Sequence, residues 1–186
     1  MNSNDLRALK SKRDIEAAFI QLINQNGFSK ITIKDICTTA LVGRSTFYRY
    51  YEDKYDLLGK LIDKYTQIID DLLTKRMHQN TNDDLLTNLY QELDQHKNSL
   101  LCLLTVSVDN LALETSFKNV LRVHIAAYLR TLNFALPEAY IQQLYATNVI
   151  TAIVWTLQHG VDPKIANMMN DMLHYLTHKY AVKTVK

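Results

Sequence analysis

Apolar residues recur along this chain at the spacing of a helix face and hardly anywhere at the alternating spacing of a strand. Ile15, Ala18, Phe19, Leu22 and Ile23 form one such face, and Gly27 is placed just beyond it as a stop. Thr32 with Asp35 three residues on predicts a capping box, Asp replacing the usual Glu. It opens a short helix with the inner face Ile33, Ile36, Cys37 and Ala40. A break at 41–43 leads into a third short helix over 44–50. Asp53 is positioned to cap a fourth, long helix with the stripe Leu57/Leu58, Leu61/Ile62, Tyr65, Ile68/Ile69 and Leu72/Leu73.

The second half keeps the period. Leu85, Leu86, Leu89, Tyr90 and Leu93 predict one amphipathic helix, and two more divide residues 99–134 with a join near 109–114. A helix over 137–159 is apolar nearly all round, through Ile141, Leu144, Tyr145, Val149, Ile150, Ile153, Val154 and Leu157. Gly160, Asp162 and Pro163 supply a stop, a cap and a first-turn proline for a last helix carrying Ile165, Met168, Met169, Met172, Leu173 and Leu176. That makes about nine helices and no credible strand, so the predicted fold class is all-α. Four Gly and two Pro in 186 residues agree, being too few for a turn-rich β fold.

The two cysteines, Cys37 and Cys102, lie in apolar surroundings and read as buried free thiols. The polar opening MNSNDLRALKSKRD does not read as a signal peptide, and no apolar run is long enough to span a bilayer. A cytoplasmic protein with no membrane partner is expected. Charge is unevenly divided: residues 1–54 hold nine Lys/Arg against six Asp/Glu, residues 55–186 twelve against thirteen. A basic head on a near-neutral body fits a polyanionic partner.

The stretch VGRSTFYRYYEDK, residues 42–54, crowds aromatics and cations into that head. A helix, a tight turn and a second helix with outward donors describe a helix-turn-helix. Phe47 is its expected anchor, facing Ile36 and Phe19, with Tyr51 in the core. Arg44 suits a bidentate pair with guanine, and Thr46 a thymine methyl or a phosphate. The hydroxyls of Tyr48 and Tyr50, and Lys54 at the next helix start, suit phosphate oxygens.

ITIKDICTTALVGRSTFYRYYEDKYDLL is similar to the DNA-binding region of TetR-family transcriptional regulators. Their signature is a recognition helix ending in Thr-aromatic-Tyr-x-aromatic-aromatic, then two residues and Lys. Thr46, Phe47, Tyr48, Arg49, Tyr50, Tyr51 and Lys54 match it, and the resemblance covers the first third of the chain. It implies a homodimer, with a DNA-binding domain over 1–54 (helix-turn-helix about 32–51) and an effector-binding and dimerisation domain over 55–186. By position, Lys34, Arg44, Ser45 and Thr46 would approach bases, while Thr32, Tyr48, Tyr50 and Lys54 would hold phosphates. The family usually has Gly, Ser and Gly where this chain has Leu41, Gly43 and Ser45. Leu disfavours a left-handed backbone, so a differently shaped turn is expected.

Other groupings carry less. Asp171, His174 and His178 share a face of the last helix but read as solvated polar positions, and no metal or cofactor is expected. Tyr90, Asp109, Asn110, Glu114, Phe117, His124, Tyr128, Tyr145 and Trp155 are the expected lining of a small-molecule pocket, though singly they also suit caps and core. No phosphate loop, nucleophile elbow or paired-carboxylate motif occurs, and an enzyme is not expected. Dimerisation is assigned to 137–159 and 163–179, with Ile150 and Val154 as candidates for the partner-facing side. The expected function is a ligand-responsive repressor on a near-palindromic operator. An architectural or accessory DNA-binding protein, docking another protein through its C-terminal domain, is the alternative.

Overall fold

The computed structural model describes residues 3–78, 85–130 and 135–180, with side chains for 6–75, 89–130, 135–172, 174–176 and 178–180. The expected inner positions Leu85, Leu86 and Leu173 lie outside the described side chains. Among the described residues nine α-helices form: α1 (Ser3–Asn26), α2 (Ile33–Thr39), α3 (Arg44–Tyr48), α4 (Lys54–His78), α5 (Leu85–Asp94), α6 (Lys97–Leu104), α7 (Leu113–Leu129), α8 (Glu138–His159) and α9 (Pro163–Lys179). A 3-10 turn at Phe28–Lys30 follows α1. The fold is all-α.

The helix ends follow local chemistry. Gly27 closes α1 at φ 78°, its N–H bonding the Ile23 carbonyl at 2.8 Å. Thr32 and Asp35 form the reciprocal box at the start of α2. Asp53 Oδ1 accepts from the Tyr55 and Asp56 N–H groups, each at 2.8 Å, at the start of α4. Asp162 accepts from the Lys164 N–H at 2.9 Å ahead of Pro163 in α9. Each cap supplies an acceptor to donors that a helix start leaves without intrahelical partners.

One join differs from expectation. Between α6 and α7 the chain makes a short antiparallel hairpin, β1 (Ser107–Val108) with β2 (Leu111–Ala112). Asp109 takes φ 51° at its turn, a conformation Asp adopts more readily than most residues. Two residues per strand leave no period to read in the sequence.

Two compact units result, described separately. The first takes residues 1–64 together with 98–112. In it α1 packs on α2 and α3 around the fully buried Ile15, Phe19, Ile36 and Phe47. The second takes 65–97 and 113–186, with α7 packed along α8, and α5 and α9 against α8. Its core includes Phe117, Leu121, Ile141 and Ile153. Cys37 and Cys102 are buried free thiols, and burial pushes the Cys102 thiol up to about 11.

The turn between α2 and α3 is a Schellman ending. The Leu41 N–H bonds the Thr38 carbonyl at 3.3 Å and the Val42 N–H bonds the Cys37 carbonyl at 3.0 Å. Leu41 sits at the left-handed position, φ 55°, with 91% of its surface exposed. The turn therefore keeps a left-handed geometry despite its leucine, contrary to the expected change of shape. The strain should be visible. Leu41→Gly is expected to add about 0.75 kcal/mol, the difference between the mid-values of the ~1–2 kcal/mol of left-handed strain and the ~0.5–1 kcal/mol of extra unfolded freedom of glycine. Urea unfolding of the two chains checks it, and an unchanged or lower midpoint refutes it.

Candidate nucleic-acid interface

The recognition helix α3 spans five residues, too few to be stable alone, so packing must hold it. Phe47 is its one buried side chain, with the Tyr51 ring centroid 5.6 Å away. Tyr51 is buried as expected, and its hydroxyl donates to Glu16 Oε1 at 3.1 Å. Burial, with the Glu16 carboxylate beside it, raises the Tyr51 phenol far above its ordinary range. The other oxygen of Glu16 accepts from Lys64 at 2.7 Å, so one carboxylate ties α1 to two points of the chain that follows α3. Nothing in the sequence pattern marks Glu16, whose partners lie 35 and 48 residues away.

With Phe47 inward, Arg44, Ser45 and Tyr48 are exposed and Thr46 is half-buried. Lys34, the second residue of α2, is exposed as well. Among the described residues Lys34 and Arg44 form no ion pair. Arg44 also lies close enough to the buried Cys37 to oppose, by its charge, the upward push of burial on that thiol. The four residues expected at bases thus lie on α2 and α3, all at least partly open to solvent.

The four expected at phosphates divide. Tyr48 is exposed. Lys54 does not fit that role: its ammonium donates to the carbonyls of Phe28 at 3.1 Å, Ser29 at 3.2 Å and Ile31 at 3.0 Å. An ammonium has three N–H groups, and all are used. It also sits 4.7 Å from the Phe28 ring centroid, where a cation is attracted to the π face. Lys54 therefore fastens the start of α4 to the turn after α1. Tyr50 gives its hydroxyl proton to the Ala8 carbonyl of α1 at 3.2 Å. Thr32 gives its own to Asp35 at 2.7 Å and accepts from the Asp35 N–H. The Thr32 hydroxyl, followed by the Thr32 N–H donating to the same Asp35 Oδ2 at 2.9 Å, holds the Asp35 carboxyl below its ordinary value. The cap is therefore intact at neutral pH and is lost as pH falls through that lowered value.

The nine expected pocket residues fall in both compact units, two in the first and seven in the second. Asp109 and Asn110 are exposed at the hairpin turn in the first unit. Glu114 is an exposed partner of Lys118 at 2.5 Å on α7. Trp155 is 51% exposed and stacks on His159, ring centroids 4.0 Å apart. Tyr128 is also exposed. Tyr90 and Phe117 are buried in the second unit, Tyr145 is half-buried, and His124 bonds Asp70 of α4 at 2.7 Å. Polar residues that suggested a pocket serve instead a turn and an i,i+4 ion pair. Among the described residues no group of three His, Cys, Asp or Glu is placed to hold a metal, and no helix is long and apolar enough to cross a membrane.

A short helix locked by a Schellman turn and one aromatic anchor, with an arginine and hydroxyls facing outward, has the geometry of a helix-turn-helix. Residues 15–61 match the family described as "Bacterial regulatory proteins, tetR family". The DhaS transcriptional activator of the dhaKLM operon of Lactococcus lactis subsp. lactis (strain IL1403) is 29% identical over 69 residues, 37% of this chain and 37% of that protein. A TetR transcriptional regulator from Streptococcus agalactiae 2603V is 28% identical, with 91% of this chain and 97% of that one covered and a TM-score of 0.65. SmeT, solved as a complex with triclosan, shares the fold at 11% identity, with 95% and 94% covered and a TM-score of 0.65. Residues 15–61 thus resemble the DNA-binding region of tetR-family regulators, and the chain as a whole shares the fold of solved TetR-family proteins.

Proposed function

We propose that this protein is a ligand-responsive repressor that binds a near-palindromic operator as a homodimer. The observation that carries the reading is Arg44, exposed at the first position of a rigidly seated recognition helix and without an ion pair among the described residues. Lys34, Ser45 and Thr46 stand beside it as further base contacts, and Tyr48 as a phosphate contact. Response to a small molecule is supported by the shared fold with SmeT, which binds triclosan. The DhaS relative is named an activator, and the position of the operator relative to the promoter decides the sign here. The reading includes no catalytic step and a cytoplasmic setting.

For the dimer, α8 and α9 remain the proposed elements, but the residues shift. Ile150 is buried inside the protomer, so it serves the core. Among the described residues Tyr140, Trp155, Met168 and Tyr175 are the large apolar side chains that these helices leave exposed, and the dimer would cover them. A sedimentation mass of one protomer at working concentrations refutes this part.

The DNA reading is tested at Arg44. Arg44→Ala should cost on the order of 1–3 kcal/mol on the operator and relax preference at one base per half-site. Affinity on operator and on scrambled duplex separates the outcomes. If both weaken equally, Arg44 touches only the backbone and base readout lies with Lys34 or Thr46.

A further inference from the structure

We propose that the first three turns of α1 are a second DNA-contacting element, in which Arg7, Lys10, Lys12 and Arg13 bind phosphates beside the recognition helix. The inference rests on the DNA-binding reading and extends it to a segment that lies before residue 15, where the family match begins. Residues 6–13, LRALKSKR, hold four cations and no acid. All four cations are exposed. Among the described residues only Arg13 has an ion pair, a loose one with its neighbour Asp14 at 3.8 Å.

Packing does not explain the segment. Leu6 and Leu9 are 54% and 56% exposed, so these turns add little to the core. A helix gains little from a few unpacked turns at its end. Something else holds this one: the Tyr50 hydroxyl donates to the Ala8 carbonyl, fastening the segment to the residues just after α3. Ala8 and Ser11 are half-buried and Ile15 fully buried, marking the side that faces the unit. At 100° per residue Arg7 and Lys12 flank that side, while Lys10 and Arg13 point away from it. Arg7 to Arg13 covers about 9 Å of helix axis at ~1.5 Å per residue. Duplex DNA carries a phosphate every ~1.7 Å of its own axis, so several fall within reach of such a row. Tyr50 thereby gains a role without touching DNA: it holds a row of cations next to the helix that reads bases.

The test is a salt series on the full chain with Arg7, Lys10, Lys12 and Arg13 all changed to Gln. Without these cations, operator and scrambled duplex should be bound more weakly by the same factor. The log–log salt dependence should flatten by about 0.9 for each phosphate no longer neutralised. Base preference should not change, and circular dichroism should show the helix content retained. Tyr50→Phe, which keeps every charge but unfastens the segment, should weaken both duplexes in the same sequence-independent way. A wild-type salt slope retained by the four-residue variant overturns the proposal while leaving the DNA reading intact. A wild type that binds no duplex at low salt overturns both.

Discussion

Phe47→Ala should cost about 3–5 kcal/mol of stability and abolish operator binding, the usual range for removing a buried aromatic ring. Phe47 has 0% of its surface exposed and is the one buried side chain of a five-residue helix. Such a helix gains almost nothing from its own hydrogen bonds, since nucleation consumes most of what the first turn yields. Its position comes from the ring against Tyr51 and from the packing of α3 on α1 and α2. Deleting the ring leaves a cavity beneath Arg44, Ser45 and Tyr48, so their aim is lost with the stability. Urea unfolding followed by helical signal, with gel shift on the same sample, measures both. A variant within 1 kcal/mol of wild type that still binds its operator would mean that α3 is held by something other than this anchor.

Lys54→Met should cost on the order of 2–3 kcal/mol of stability, yet leave the salt dependence of DNA binding where it was. The ammonium satisfies three carbonyls at 3.0–3.2 Å, and charge-assisted bonds of this kind each contribute more than neutral ones. Methionine keeps the stem and its packing but strips the donors, so the change isolates the bonds. Were Lys54 a phosphate clamp, its loss would flatten the log–log salt slope by about 0.9 per head. The two roles therefore predict different slopes for similar losses of affinity. A flattened slope with unchanged stability would return Lys54 to the DNA.

These two residues also show what the sequence made legible. Phe47, Thr32 with Asp35, Gly27, Asp53 and Asp162 are all readable because each acts on neighbours within one turn, where periodicity and capping rules apply. The Lys54 partners lie 23 to 26 residues upstream, and no local pattern records them. Sequence placed the lysine at the right surface and assigned it the wrong neighbour. The pocket residues carry a related ambiguity. Asp109, Asn110 and Glu114 looked like polar islands in an apolar region, but a hairpin turn and an ion pair one helical turn long account for them. Composition says that a polar group needs a partner; it does not say whether the partner is a ligand or the next turn of chain. The left-handed turn at Leu41 was hidden by its residue type, because the backbone of the Schellman ending outweighs what leucine prefers.

The 98–112 segment has a bearing on how the protein is made. It belongs to the same compact unit as residues 1–64, with the Cys102 thiol 3.7 Å from the Ile20 carbonyl, 82 residues back along the chain. A ribosome delivering the chain in order releases α1 to α3 first, and the covering α6 and hairpin arrive only after α4 and α5 have been made. Until then the surface around Ile20 lacks its cover and the recognition helix sits on an unfinished support. The first unit is thus completed only after residues 65–97 of the second have been made, and a chain stopped at residue 64 would emerge with apolar surface open to whatever is nearby.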